Sequence, residues 1–354
     1  MIIISQSPPP LIIRADASSA IGTGHVMRCL ALAEAWQETG GVVFFVSAFD
    51  TPALEDRLKN EAIQILHITH EAGTIGDANE TALLAHEHGA EWIVVDGYHF
   101  GLEYQKTIKN SGLSLLFIDD YGHADHYYAD IVLNQNISAD MSFYPIYEPY
   151  TRFLLGTKYA LIRKEFLIWS GWHREIPNVA RKILVTLGGS DPANVTLKVI
   201  DAVRMVDPDG LEVKVVVGGS NPHFDLIHKK VKDLANFTLI KNAENMPDLM
   251  AWADVAISAG GSTCWELAFM GVPSIMIPIA KNQELAIKEL KNIHAAVGFP
   301  SDNLSSKKDI SNFIDFFLKM KELRSGLSQI QKQIVDGRGA NKVVSIMMGK
   351  YSDN

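Results

Sequence analysis

The stretch Leu11-Ile12-Ile13-Arg14-Ala15-Asp16-Ala17-Ser18-Ser19-Ala20-Ile21-Gly22-Thr23-Gly24-His25-Val26-Met27-Arg28 brings a histidine to the first turn of a helix, directly after a polar loop with two glycines. The N–H groups at a helix start have no internal partners and carry partial positive charge. Gly22 and Gly24 would let a ligand reach that backbone with no Cβ in the way, and an anion is its natural occupant. Imidazole titrates near neutrality, so His25 is placed to exchange a proton beside such a ligand. The same residues also suit an ordinary tight turn carrying a solvated histidine, because a G-x-G before a helix is a weak signal.

A second constellation is Ser258-Ala259-Gly260-Gly261-Ser262-Thr263-Cys264-Trp265-Glu266. An apolar strand ends at Ile257, small residues follow, and a helix begins near Ser262 or Thr263. Gly260 and Gly261 would offer backbone N–H groups to a diphosphate. Ser262 and Thr263 would either cap the helix or bind phosphate. Glu266 falls one turn into the helix, where it can accept hydrogen bonds from two ribose hydroxyls or complement the helix dipole. Further on, Asn282 and Gln283 offer uncharged donors and acceptors to sugar hydroxyls, or cap the helix that follows them.

These residues need elements to hold them. Leu11–Arg14, Val42–Ser47, Ile63–His67, Trp92–Asp96, Leu113–Ile118 and Ile131–Leu133 read as short apolar strands, with helical patterns such as Val26–Thr39 and Thr81–His88 between them. That rhythm predicts βαβ units and a largely parallel sheet. Asp16, Asp96, Asp119 and Asp120 each follow a strand and should lie along its carboxyl edge, where such sheets bind ligands. A second series, Lys182–Leu187, Val213–Val217, Thr238–Ile240, Val255–Ile257 and Ser274–Ile277, completes a second sheet. The expected architecture is α/β, with two Rossmann-like domains facing across a cleft. Residues 1–165 carry the proposed base, 166–180 a linker and plausible hinge, 181–335 the nucleotide-binding domain, and 336–354 a helical tail that bends near Gly337 and Gly339. Trp169, Trp172 and the tyrosines at 144, 147 and 150 suit buried packing around the domain connection.

Composition limits the remaining classes. The net charge of −9 argues against a general nucleic-acid binder. Cys29 and Cys264 are the only cysteines, which excludes a disulfide framework and suits a reducing cytoplasm. No apolar run is long enough to cross a bilayer, and the start of the chain does not read as a signal peptide. The acidic and histidine-containing run Asp119–His126 has the composition of a metal site, but a solvated or substrate-contacting loop beside the cleft is the expectation.

The blocks Arg14-Ala15-Asp16-Ala17, Gly22-Thr23-Gly24-His25-Val26-Met27-Arg28-Cys29-Leu30, Leu187-Gly188-Gly189-Ser190-Asp191-Pro192, Ser258 to Leu267 and Ala280-Lys281-Asn282-Gln283 together resemble the UDP-2,4-diacetamido-2,4,6-trideoxy-β-L-altropyranose hydrolases of pseudaminic acid biosynthesis. The resemblance runs from about Ile12 to Gln283 and includes Phe153–Gly156 and Tyr159–Arg163. This family is similar in fold to the GT-B glycosyltransferases, notably the one that adds N-acetylglucosamine to a lipid-linked peptidoglycan precursor. The Gly-Gly-Ser-Thr…Glu block is widespread in that fold and marks nucleotide-sugar binding only; the block around His25 is more specific. The chain departs from the pattern mainly in its Ser5–Pro10 extension.

The resemblance implies that His25 is the catalytic base, that Glu266 holds the uridine ribose, and that Gly260, Gly261, Ser262 and Thr263 hold the diphosphate. It places Asn282 near the sugar and the reacting centre. Gly22, Thr23, Gly24, Asp96, Tyr98, Gly188, Gly189, Ser258 and Gln283 would line the site. The implied substrate is a UDP-amino sugar, with no metal or other cofactor and no nucleic-acid partner. A glycosyltransferase and a non-catalytic UDP-sugar sensor on the same fold are the alternatives. Oligomeric state is not legible in the chain.

Overall fold

In the first half of the chain, apolar and β-branched runs form seven strands: β1 (Leu11–Ala15), β2 (Val43–Ser47), β3 (Gln64–His67), β4 (Trp92–Asp96), β5 (Ser114–Ile118), β6 (Ile131–Asn134) and β7 (Arg152–Leu155). Helices α1 (Gly24–Glu38), α2 (Pro52–Asn60), α3 (Ile75–Glu87) and α4 (Leu102–Asn110) connect the first five. The structure, a computed structural model, describes residues 7–18, 21–48, 52–206, 209–219, 221–299 and 306–350. Parts of the Ser5–Pro10 extension, of the loop before His25 and of the 336–354 tail, as well as Ser220, lie outside the described residues. Among those described, no helix is long and apolar enough to cross a membrane.

The chain divides into two compact units. The first comprises His25–Lys164 with β1 and the last helix; the second comprises Glu165–Gly337 with the short loop that ends at Gly24. In the first unit the strands pair in the order β3-β2-β1-β4-β5-β6-β7, every pair parallel. Side chains alternate across a strand with period two. Leu11, Ile13, Ala15 and Val94 therefore join the core beneath α1, while Ile12, Ile93 and Val95 join the core on the other face. Covered on both faces, β1 is buried throughout, as expected of a central parallel strand.

The second unit contains α5 (Lys164–Leu167), β8 (Lys182–Thr186), α6 (Val195–Val203), β9 (Glu212–Val217), α7 (Phe224–Val231), β10 (Phe237–Lys241), α8 (Met246–Trp252), β11 (Val255–Ala259), α9 (Thr263–Phe269), β12 (Ser274–Ile277), α10 (Gln283–Asn292), β13 (Val297–Gly298), α11 (Lys307–Lys319) and α12 (Lys321–Ile334). Its sheet runs β10-β9-β8-β11-β12-β13, again parallel. Both sheets reverse their strand order beside the first strand of the series, at β1/β4 and at β8/β11. Such switch points open a crevice at the carboxyl ends of the strands.

The structure adds strands β7 and β13 to those the alternation pattern picks out. β13 has two residues, too few for any periodicity to register. Helix α12 stops at Ile334, and the chain turns through Gly337 at φ +76° before α13 (Gly339–Met347). A Cβ on Gly337 would press on the Phe269 ring, and one on Gly339 would collide with the Ala160 carbonyl. These two glycines break what reads as one helical segment. Beyond them, α13 packs Val343, Val344 and Met347 into the first unit's core. Segment 168–178 has no strand or α-helix; Arg174 donates to the Ala253 and Met250 carbonyls and lies over Trp172. Of the aromatic residues expected to be buried, Tyr144 is, whereas Tyr147 and Tyr150 are exposed near the sheet's β7 edge. An apolar count cannot tell which side of an irregular connection faces water.

One charged residue interrupts the buried strand β1. Arg14 points to the face opposite α1, donates through Nε and Nη2 to both Asp77 carboxylate oxygens at 3.0 and 2.8 Å, and reaches Asp16 at 2.7 Å. Burial disfavours its charge, but Asp77 and Asp16 outweigh that and raise its pKa. Removing one partner of a buried pair strands the other. Asp77→Ala should therefore lower the unfolding free energy by about 3–5 kcal/mol in urea denaturation. A loss below about 1 kcal/mol, the range of exposed pairs, would show that Arg14 regains water in the variant.

Candidate active site

His25 lies in the first turn of α1, directly above the carboxyl end of β4. Residues 25, 28 and 29 fall at i, i+3 and i+4 and so share one helix face. All three meet Asp96, the last residue of β4. His25 Nδ1 is 2.6 Å from Asp96 Oδ1. Arg28 donates from Nε to Oδ2 at 2.6 Å and from Nη2 to Oδ1 at 2.7 Å, and Cys29 Sγ is 3.5 Å from Oδ2. Asp96 is fully buried. Burial opposes its ionisation, but the charges of Arg28 and His25 override that and hold the carboxyl well below the usual carboxylate range. An ionised carboxylate only accepts. Nδ1 of His25 therefore carries a hydrogen and donates it. Arg28 Nη2, 3.3 Å from the same Nδ1, finds no lone pair there to donate to, because that nitrogen already carries the hydrogen given to Asp96.

A second carboxylate braces this pair. Asp120, just past β5, accepts from Arg28 Nη1 at 2.8 Å, from Tyr98 Oη at 2.6 Å and from Asn136 Nδ2 at 2.7 Å. Burial raises its pKa, and the adjacent Arg28 more than reverses the effect. The Tyr98 ring meets His25 edge-on, with centroids 4.9 Å apart. Arg28 is thus clamped between two carboxylates and His25 is held on two sides. Asp16, also expected at this edge, accepts from Arg14, His99 and the Ala48 N–H.

The Asp119–His126 run is organised by its own first residue. Asp119 Oδ1 accepts from the N–H groups of Asp120, Tyr121 and Gly122 and from His123 Nδ1, while Tyr127 donates to Oδ2. His126 pairs with Glu148. Among the described residues, no group of three or more His, Cys, Asp or Glu side chains is arranged to hold a metal ion. His123 places its other nitrogen 3.2 Å from the Phe100 carbonyl. Both ring nitrogens thus face acceptors, an arrangement that the protonated ring satisfies in full.

In the second unit, the loops after β8 and β11 meet at the switch point. Asp191 accepts from the N–H groups of Val195 and Thr196, each at 2.8 Å, and so caps α6. Ser262 occupies the N-cap position of α9 and Asn282 that of α10, and neither makes a side-chain cap bond. Gln283 Oε1 accepts from Gly260 N–H at 3.3 Å and Ile279 N–H at 3.1 Å, tying two loops together. A Cβ on Gly260 would lie 2.7 Å from Ile287, so this glycine admits α10; at Gly261 there is ordinary space. Ser258 is buried within β11, and Glu266 is buried in α9. Gly22, with φ +80°, stands beside Ser190, and Gly24 beside Ser262, within the second unit. The structure therefore gathers Gly188–Ser190, Gly260–Glu266 and Asn282 at one sheet edge, and His25, Asp96 and Tyr98 at another. Arg28, Asp120 and Asn136 complete the second group. Arg28 was legible as a helical neighbour of His25, whereas nothing local links Asn136 to it.

His123 yields a pH signature. Burial opposes its protonation, but Asp119 outweighs this and raises its pKa. A raised folded-state value contributes stability in full below the unfolded value of about 6.5, and that contribution fades as pH rises through the folded value. The stability advantage of the wild type over His123→Gln in urea unfolding should be largest in mild acid and shrink toward alkaline pH. A difference that grew with pH would mean a neutral ring.

Residues 183–333 match the glycosyltransferase family 28 C-terminal domain. The chain is 25% identical over 344 residues to the spore coat polysaccharide biosynthesis protein SpsG of Bacillus subtilis, covering 95% of this chain and 97% of that one. It is 27% identical over 277 residues to the UDP-2,4-diacetamido-2,4,6-trideoxy-β-L-altropyranose hydrolase of Campylobacter jejuni, covering 77% and 93%. It spans 54% of the length of an uncharacterized protein of Methanocaldococcus jannaschii, at 25% identity. The crystal structure of MurG from Acinetobacter baumannii superposes with a TM-score of 0.62 over 97% of this chain and all of the other, at 17% identity. The chain therefore has the GT-B fold, its second unit carries the region that matches the family 28 C-terminal domain, and most of its length is similar to the UDP-diacetamido-trideoxy-altropyranose hydrolases.

Proposed function

We propose that this chain is an enzyme that hydrolyses a UDP-activated 2,4-diacetamido-2,4,6-trideoxy sugar to UDP and the free sugar. The observation that carries this reading is the His25–Asp96 pair: an imidazole whose Nδ1 is held by a buried, ionised carboxylate, which leaves Nε2 as the ring atom that can take a proton. Water attacks the anomeric carbon as the bond from that carbon to the β-phosphate oxygen breaks. The water proton passes to His25 Nε2, and UDP leaves with the bonding electrons. Charge on the leaving group is spread over two phosphates, and backbone N–H groups aimed at it would stabilise its growth.

The second unit holds the nucleotide. Gly261, Ser262 and Thr263 at the start of α9, with Gly188, Gly189 and Ser190 after β8, receive the diphosphate. Glu266 accepts from the ribose hydroxyls, and Asn282 serves the sugar. The similarity to the Campylobacter jejuni hydrolase over most of both chains supports this substrate class. A second reading, transfer of the sugar to an acceptor hydroxyl, is favoured by the match to a glycosyltransferase C-terminal domain. UDP release by the purified chain without acceptor supports hydrolysis; release that requires an acceptor supports transfer.

His25→Asn should retain UDP binding and lose turnover by about 10²–10⁴-fold, the usual contribution of a positioned base. Turnover within a few-fold of wild type would remove His25 from the mechanism. Glu266→Ala should weaken UDP binding by roughly 1.5–3 kcal/mol in calorimetric titration while kcat changes less. An unchanged affinity would leave Glu266 with helix-dipole complementation alone.

A further inference from the structure

Tyr98 beside His25, and Tyr121 beside Tyr98, are exposed in a way that the chemistry of water activation does not explain. Tyr98 follows β4 and Tyr121 follows β5, adjacent strands whose carboxyl ends lie side by side. Their rings are 5.2 Å apart at an interplanar angle of 49°. Tyr98 donates to Asp120 at 2.6 Å, and the Tyr121 N–H donates to Asp119 at 3.0 Å. The His123 ring lies against both, with centroids 5.6 and 5.8 Å away. Even so, Tyr98 is 37% and Tyr121 43% exposed. Tyr98 is pinned through its hydroxyl and Tyr121 packs against it, and their open faces favour CH and methyl groups over hydroxyls, which would surrender water there without replacement.

We propose that Tyr121, framed by Tyr98, forms an aromatic platform next to His25 that receives the methyl-bearing face of a deoxy acetamido sugar and selects it over a fully hydroxylated one. This rests on the hydrolase reading above, because the sugar named there presents a C6 methyl and two acetamido methyls. Asp120 and Asn136 at the margin of the platform supply the polar contacts of the same region. An apolar wall gains about 10–200-fold from a well-placed methyl-sized group and rejects an added hydroxyl by about 10²-fold. Selection by Tyr121 therefore falls within about two orders of magnitude.

The test compares the full-length wild type with Tyr121→Ala and Tyr121→Phe, using the UDP-2,4-diacetamido-2,4,6-trideoxy sugar and UDP-N-acetylglucosamine. Tyr121→Ala should raise KM for the trideoxy sugar about tenfold or more, change kcat less, and narrow the preference between the two sugars. UDP affinity should stay within about twofold, since the second unit holds the nucleotide, and Tyr121→Phe should restore KM. Saturation-transfer NMR on the wild type should mark the sugar methyls most strongly, and Tyr121→Ala should lose that pattern. Wild-type turnover combined with an unchanged KM and unchanged methyl saturation in Tyr121→Ala overturns the platform and leaves the hydrolase intact. No turnover of this sugar by the wild type overturns the hydrolase reading and, with it, the ligand assigned to the platform.

Discussion

The buried carboxylate of Asp96 is the interaction on which the rest of the candidate active site depends. It ends a central strand, faces the first turn of α1, and takes hydrogen bonds from His25, Arg28 and Cys29 on one helix face. Burying an anion is costly unless it is paired and fully hydrogen-bonded. Arg28 meets that requirement, and Asp120 in turn balances Arg28. The positive end of α1 adds to the effect. With Asp96 charged and immobile, His25 has one tautomer and one orientation. The orientation of His25 is thus decided by a carboxylate 71 residues away in the chain.

The same sheet carries a second buried charge network on its opposite face. Arg14, one residue before the end of β1, turns to Asp77 of α3, while Asp96, paired across from Ala15, turns to α1. The two-residue period of a strand separates the networks, so two sets of buried charges sit within one sheet edge without neutralising each other. In the second unit comparable side chains take scaffolding roles. Asp191 caps α6 and Gln283 ties the Gly260 and Ile279 backbones together. The short polar loops at that sheet edge are thereby held by side chains bonded to backbone N–H groups.

What the chain determined by itself is local. Parallel strands covered on both faces must be apolar along their length, so β1, β4, β5, β8 and β11 announce themselves, and the turns after them carry the small and ionisable residues from Gly22 to His25 and from Gly260 to Glu266. Helical spacing likewise assigns Arg28 to the side of His25. Strand β13 was not legible, because two residues have no period, β7 was not picked out among the strands, and the exposure of Tyr147 and Tyr150 was misjudged for want of any regular element. Tertiary structure alone decided which partners complete the site. Asp96 lies 71 residues from His25, and Asp120 lies 92 from Arg28. No local rule couples positions so far apart. Their meeting follows from the order β1-β4-β5, which sets three distant loop starts side by side, and from the energetic demand that a buried charge find its counterpart.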